Sequence, residues 1–212
     1  MKIFYFDVCG TLFSVNTTFH FLFYLFKKEN KYFKLFYCYF LTSIFGKILN
    51  KLGVISIRAL LLKMIKGVDP ESINKIAKLY VSEELSKFEI KKTMDIFKKL
   101  NEDKDARIIL ISASIEPIIK ALSDNYNVEY YCSKLEIDNS KFTGKLCLDL
   151  KGNKSDFIIK NNISENIFYT DNIDDIPCGK FVNRLYFINR KNINLDKIFK
   201  KDTLENVREF NV

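Results

Sequence analysis

A chain of 212 residues that is 48% apolar and 28% charged has the composition of a globular protein able to bury a substantial core, as one domain or as a core with an insertion, and not of a disordered one. Five scattered cysteines (Cys9, Cys38, Cys132, Cys147, Cys178) without a C-x-x-C pair, and a single His, argue against a disulfide framework or a zinc site and fit cytosolic thiols. The formal net charge of +8 is local: Ser14 to Val68 carries nine basic residues against one acid, Glu29, so the remainder is neutral. That same window holds twelve of the chain's 20 Phe and 11 Tyr residues, which marks it as an insertion with its own task.

Lys2 to Phe6 reads as a buried strand, a run of aromatic and β-branched residues ended by Asp7-x-x-Gly10. Asp7 interrupts that run too early for a secretory signal, so the N-terminus is read as the first strand of the fold. From about Thr17 to Leu100 the pattern is helical. Phe19, Leu22, Phe23 and Phe26 recur at three to four residues, as do Phe33, Phe36, Phe40 and Ile44. Gly46, Gly53 and the stretch VDPES supply breaks, with Asp69 placed to cap a helix opening at Pro70 and continuing through Ile73, Ile76, Ala77 and Tyr80. Arg107 to Ile111 (RIILI) is a second buried strand, followed by Ser112-Ala113-Ser114 and a helix from about Glu116. Val128 to Leu135 and Phe142 to Leu148 flank the turn DNSK and predict a hairpin. Asn166 to Thr170 (NIFYT) is another buried strand, ending in an acidic turn, and Leu185 to Ile188 is the last.

Strands alternating with helices predict an α/β chain: a Rossmann-like three-layer core around a mainly parallel sheet, with an α-helical cap inserted after the first strand. The boundaries are 1–13 and 103–212 for the core and 14–102 for the cap. Functional side chains then belong at the carboxyl ends of strands. Three buried strands end in suitable residues: Asp7, Ser112, and Asp171 with Asp175. Carboxylates from two strand ends can hold Mg²⁺, a hard cation that commonly bridges to phosphate. A free Asp7 oxygen could attack phosphorus, Ser112 offers a hydroxyl to a phosphoryl oxygen, and Lys154 in KGNKSDFI offers positive charge. Lys151 is a rival for that last role.

These four elements, in this order, resemble the haloacid dehalogenase-like hydrolases, and within them the phosphoserine-phosphatase-like branch with a helical cap. DVCGTLF resembles the family's D-x-D-G-T-L motif, ILISAS its second motif, Lys154 its third-motif lysine, and YTDNIDDIP its fourth motif, G-D-x-x-x-D-x-P. The hairpin LEIDNSKFTGKL is similar to that branch as well. The resemblance implies that Asp7 is a nucleophile forming an aspartyl-phosphate, and that Thr11, Ser112 and Lys154 bind phosphate. It also implies that Asp7, the backbone carbonyl of Cys9 and Asp171 ligate Mg²⁺, supported by Asp175. Family spacing selects Asp175 over Asp174.

Cys9 is the departure. The family's phosphatases place there an Asp that protonates the leaving group and activates water. A thiol with a pKa of roughly 8.5 is an inferior acid/base, and losing that help slows turnover by about 10²–10⁴-fold. The resemblance therefore implies a Mg²⁺-dependent phosphomonoesterase with reduced activity. The alternatives are a weakened member that binds a phospho-ligand, or a 2-haloacid dehalogenase, whose D-x-Y-G-T-L-F context is similar but whose early cap Arg has no equivalent before Arg58. Phosphoserine itself is disfavoured, because the family's amino-reading Glu, nine residues after the nucleophile, is Asn16 here. His20 is expected to be a core or rim side chain of the cap.

The basic aromatic cap is read either as a bundle burying its aromatics with solvated lysines, or as a peripheral surface for anionic lipid at the inner face of a membrane. No nucleic-acid motif is present, and the uncharged run Leu35 to Gly46 is too short to span a bilayer. The expected location is cytoplasmic, and the expected partner a phosphorylated small molecule.

Overall fold

The computed structural model describes residues 2–158, 165–190 and 192–210. Its strands are β1 (Lys2–Phe6), β2 (Ala106–Ile115), β3 (Glu129–Asp138), β4 (Lys141–Leu148), β5 (Glu165–Thr170), β6 (Arg184–Ile188) and β7 (Val207–Phe210). They form one sheet in the order β4-β3-β2-β1-β5-β6-β7. Every neighbouring pair is parallel except β3 and β4, the expected hairpin. Between β1 and β2 the chain forms α1 (Thr17–Lys28), α2 (Tyr32–Thr42), α3 (Ile44–Lys51), α4 (Ile57–Lys63), α5 (Pro70–Glu83) and α6 (Lys91–Asn101). Two more helices follow, α7 (Glu116–Tyr126) and α8 (Lys201–Leu204).

Four of the helices begin where the sequence supplies acceptors for otherwise unpaired N–H groups. Asn16, Ser43, Ser56 and Asp69 accept from backbone amides at the starts of α1, α3, α4 and α5, and Pro70 opens α5 without an N–H to satisfy. Along β1 the side chains alternate. Phe4 and Phe6 join Ile108, Leu110, Ile167 and Tyr169 in one core. Ile3 and Tyr5 join Ile109, Ile111, Phe168 and Leu185 in the other.

The first core is covered by long helices. Phe97 of α6 meets Phe6 edge-on at 5.3 Å, so α6 lies against the sheet as the last part of the crossover to β2. The second core is covered by α8 and by short 3₁₀ segments, Lys154–Phe157, Ile173–Phe181 and Leu195–Lys197. The layer carrying Lys154 and Asp175 is therefore built of tight turns.

Two expectations need correction. β6 is not the last strand: β7 adds a four-residue edge, too short and too exposed to show an apolar run. The repeat Phe33-Phe36-Phe40-Ile44 is not one helix, because Ser43 adopts an extended backbone that ends α2 and caps α3. Nor is that face buried, since Phe33 is 94% exposed.

The inserted helices dock on the hairpin. Gly67 N–H donates to the Phe142 carbonyl at 2.8 Å, and Phe142 N–H to that of Val68 at 3.0 Å. Gly144, at φ +81°, lies so close to the Lys63 backbone that a Cβ would collide with it.

Candidate active site

Parallel register places the candidate residues side by side. Phe6 pairs with Leu110 on one side and Tyr169 on the other, so Asp7 and Asp171 leave adjacent strand ends together, with Ser112 beside them. Ser112 does not end its strand as expected, since β2 shifts register after it and runs on to Ile115. Asp7 N–H continues the β1–β5 ladder by donating to the Tyr169 carbonyl at 2.9 Å. The turn after Asp7 is held by the Val8 carbonyl, which accepts from both Leu12 and Phe13. Gly10, at φ +78°, passes directly against the Asp171 carboxylate, where any Cβ would overlap it.

Lys154 organises the cluster. Its ammonium lies 2.9 Å from Asp7 Oδ2 and 2.7 Å from Asp175 Oδ2, and all three residues are buried. Burial alone would pull this lysine's pKa down, but Asp7 and Asp175 outweigh it and hold the group charged. Asp175 also accepts from the Thr170 hydroxyl at 2.7 Å. Lys151 and Asp174 are the outward neighbours: Lys151 is exposed, and the Asp174 backbone closes a small turn on Asn172.

Asp7 Oδ1 accepts from Val8 N–H at 2.7 Å. Burial pushes the Asp7 carboxyl up to about 7; Lys154 opposes the shift, and Asp175 and Asp171 add to it. Asp171 is raised too, chiefly by burial, with Lys154 opposing. The cluster thus brings three carboxylates against one ammonium. Asp171 has no cation at bonding distance among the described residues; the Thr11 hydroxyl lies 3.4 Å from its Oδ1. Oxygen donors with this surplus of negative charge fit a divalent hard cation, which would be held by Asp7, Asp171 and the Cys9 carbonyl. Among the described residues no backbone hydrogen bond is made to that carbonyl.

Thr11 is fully buried, and its hydroxyl accepts from Asp171 N–H at 2.9 Å, so it pins the first loop to the end of β5. Ser112 is buried where β2 breaks register, and its hydroxyl accepts from Ser114 N–H at 3.2 Å. Cys9 lies in a polar pocket: its sulfur is 3.1 Å from the Ser114 hydroxyl and 3.2 Å from that of Thr17, the two hydroxyls are 2.6 Å from each other, and Thr17 N–H donates to the sulfur at 3.3 Å. Burial, reinforced by Asp7, pushes its pKa up and keeps it a thiol.

Sequence reasoning did not single out Thr17, Ser114 or Arg58 as parts of the site. Arg58 of α4 forks between two sets of partners, with its Nη1 2.7 Å from each carboxylate oxygen of Asp149. Its Nη2 donates to the carbonyl of Ala113, next to Ser112, at 2.6 Å. The pattern S-A-S after a buried strand was the available signal for Ser114; Arg58 had none. Asn16 spends its side-chain oxygen on capping α1. His20 packs at the cap rim, its Nδ1 3.1 Å from the Tyr80 hydroxyl. A cleft of about 490 Å³ lies between α1 and α2, lined by His20, Phe23, Tyr24 and Tyr39 among others; no residue of the carboxylate cluster lines it.

A family model described as haloacid dehalogenase-like hydrolase matches residues 4–180, which contain the whole cluster. No curated protein matches the chain. Among solved structures, a protein of unknown function from Bordetella pertussis Tohama I is similar with a TM-score of 0.77 at 11% identity, covering 99% of this chain and 97% of that one. A phosphoserine phosphohydrolase-like protein from Francisella tularensis subsp. tularensis SCHU S4 has a TM-score of 0.53 at 19% identity, covering 89% and 87%. A substrate-bound phosphoserine phosphatase complex has a TM-score of 0.56 at 14% identity, covering 98% and 99%. At these identities the likeness is one of fold.

Proposed function

The chain belongs to the haloacid dehalogenase-like hydrolases, and from that premise we propose that it is a Mg²⁺-dependent phosphomonoesterase acting through an aspartyl-phosphate on Asp7. The observation that carries this reading is the buried ammonium of Lys154 joined both to Asp7, at the end of β1, and to Asp175, in the 3₁₀ segment after β5. A surface lysine or a capping Asp would need no such arrangement.

In this reading an Asp7 oxygen attacks phosphorus, forming one P–O bond as the bond to the alcohol oxygen breaks and that oxygen takes a proton from water. Water then attacks the phosphorus of the acyl phosphate, releasing inorganic phosphate and restoring Asp7. Lys154 offsets charge on the phosphoryl oxygens, Ser112 donates a hydrogen bond to one of them, and Asp175 keeps the lysine extended and charged. Thr11 contributes by orienting Asp171 beside the transferred group. Bound Mg²⁺ supplies further positive charge to the phosphoryl oxygens and fixes their orientation.

Cys9 is the weak component, since a thiol raised by burial can give a proton but is a poor base for water. That substitution favours one second reading, a member that binds a phosphorylated ligand and turns it over slowly. Dehalogenation is less well supported, because Arg58 is committed to Asp149 and Ala113. For the substrate we propose a phosphorylated small molecule other than phosphoserine, given Asn16 and its capping role. Phosphate release from an aryl phosphate and a phosphomonoester panel, with and without Mg²⁺, tests the proposal. Mg²⁺-dependent release that persists in Asp7→Asn would overturn it.

A further inference from the structure

We infer that the exposed aromatic face of α2 and α3 docks on an anionic lipid surface. The observation is one of distribution. Of the 14 large hydrophobic side chains that are exposed among the described residues, 11 fall between Tyr32 and Val54. Phe33, Phe36, Tyr37 and Phe40 recur at helical spacing along α2, and Ile44, Phe45 and Ile48 extend the set onto α3. Only Cys38 and Leu41 of α2, and Gly46 of α3, are buried, so these two helices turn little of their apolar surface inward. A set this concentrated marks an interaction site rather than ordinary scattered exposure.

Charge selects the occupant. The segment Ser14 to Val68 carries +8 with Glu29 as its sole acid. Some of its lysines are committed: Lys34 donates to the Met64 carbonyl at 2.6 Å, Lys31 pairs with Glu29 and Lys28 with Glu83. Lys27, Lys47 and Lys51 are exposed and make no ion pair among the described residues. Lys47 and Lys51 alternate with Ile44 and Ile48 along α3. A second copy of this face would bring the same positive charge against itself, whereas a bilayer of anionic headgroups complements it. Aromatic and aliphatic side chains beside lysines suit the headgroup boundary, with the apolar groups entering and the ammonium groups meeting phosphate. No helix among the described residues is long and apolar enough to cross a membrane, and α2 and α3, at 11 and 8 residues, fit a helix pair lying along the surface.

The chain contains no Trp, so Phe33→Trp places one reporter on the face and Ile198→Trp one at a separate exposed site. The measurement is emission and co-sedimentation with vesicles of phosphatidylcholine alone or mixed with phosphatidylglycerol, and light scattering of the protein by itself. The expected result is a monomer that binds the mixed vesicles, with a blue shift for the Phe33→Trp reporter and none for Ile198→Trp. Binding should weaken about tenfold or more in Phe33→Ser/Phe36→Ser and fall as salt is raised. Both positions are exposed, and an unchanged melting curve verifies that the double variant folds. The inference is overturned by absence of binding to mixed vesicles, by equal binding to both vesicle types, or by binding that ignores the double substitution. A dimer that the double substitution dissociates would overturn it in favour of a second copy. None of these readouts depends on catalysis, so the inference and the proposed activity fail separately.

Discussion

The Cys9 sulfur lies 3.1 Å from the hydroxyl oxygen of Ser114, in a pocket completed by the hydroxyl and the amide of Thr17. A thiol is a weak acceptor and makes little of the Thr17 amide and of hydroxyls that also bond each other, whereas a carboxylate would accept more strongly from the same groups. Cys9→Asp is therefore expected to raise Mg²⁺-dependent turnover by about 10²–10⁴-fold, while Cys9→Ala stays near the natural rate. Side-by-side steady-state assays decide it. A Cys9→Asp protein that folds and is no faster would show that position 9 does not limit the chemistry.

Lys154 holds two carboxylates out of water, so Lys154→Met leaves both without a counter-charge. Breaking a buried pair in this way costs about 3–5 kcal/mol, and the variant is expected to lose turnover and stability together. Adding Asp7→Asn should return part of that stability, because it removes one of the stranded charges. Denaturant melts of the single and double variants test the coupling; simple additivity would contradict it. Lys151→Met, at an exposed site, should change neither property.

Metal-free protein should respond to pH through Asp7. Its folded-state pKa, about 7, stands above the ordinary value of 3.8, so the folded protein holds the proton more tightly than the unfolded chain. Stability from this group is present at acid pH and is lost as pH rises from about 4 through about 7, by a few kcal/mol at most. Melting temperatures without divalent cation should fall across that window, and the gain on adding Mg²⁺ should grow with pH. In Asp7→Asn both trends should flatten. A slope that survives the substitution would assign it to another group.

Arg58 fastens the inserted helices to the core through Asp149, the Ala113 carbonyl and Ser133. Because Asp149 is 42% exposed, the ion pair is screened, and Arg58→Met is expected to cost about 1–2 kcal/mol. Arg58→Lys should recover little, since one ammonium cannot reproduce the fork. Thermal melts and limited proteolysis of residues 31–68 read the effect. Equal behaviour of the Lys variant and the natural protein would show the fork to be unimportant.

Much of this architecture was legible because its signals are local. A buried apolar run ended by Asp7 or Thr170-Asp171 reads as a strand with a polar end, and parallel pairing then brings the ends together, whereas at Ser112 the strand continues past a register shift to Ile115. Asp69 and Pro70 announced a helix start in the same way. What escaped notice depends on contacts between distant segments. Arg58 meets Asp149 across 91 positions, and Cys9 meets Ser114 across 105; neither spacing leaves a pattern in the chain. β7 escaped for another reason, being short and at an edge where little apolar surface is buried. The Phe33–Ile44 periodicity was visible, but periodicity alone does not say whether an apolar face is covered.

The backbone pairing of Gly67 and Val68 with Phe142 has a consequence for colloidal behaviour. β4 is the outer strand of the sheet on that side, and an uncovered outer strand is a template on which other chains can pair. By occupying the Phe142 amide and carbonyl, the loop between α4 and α5 covers part of this template. A cap trimmed away to open the active centre would strip that cover as well, and the truncated core should aggregate more readily than the whole chain.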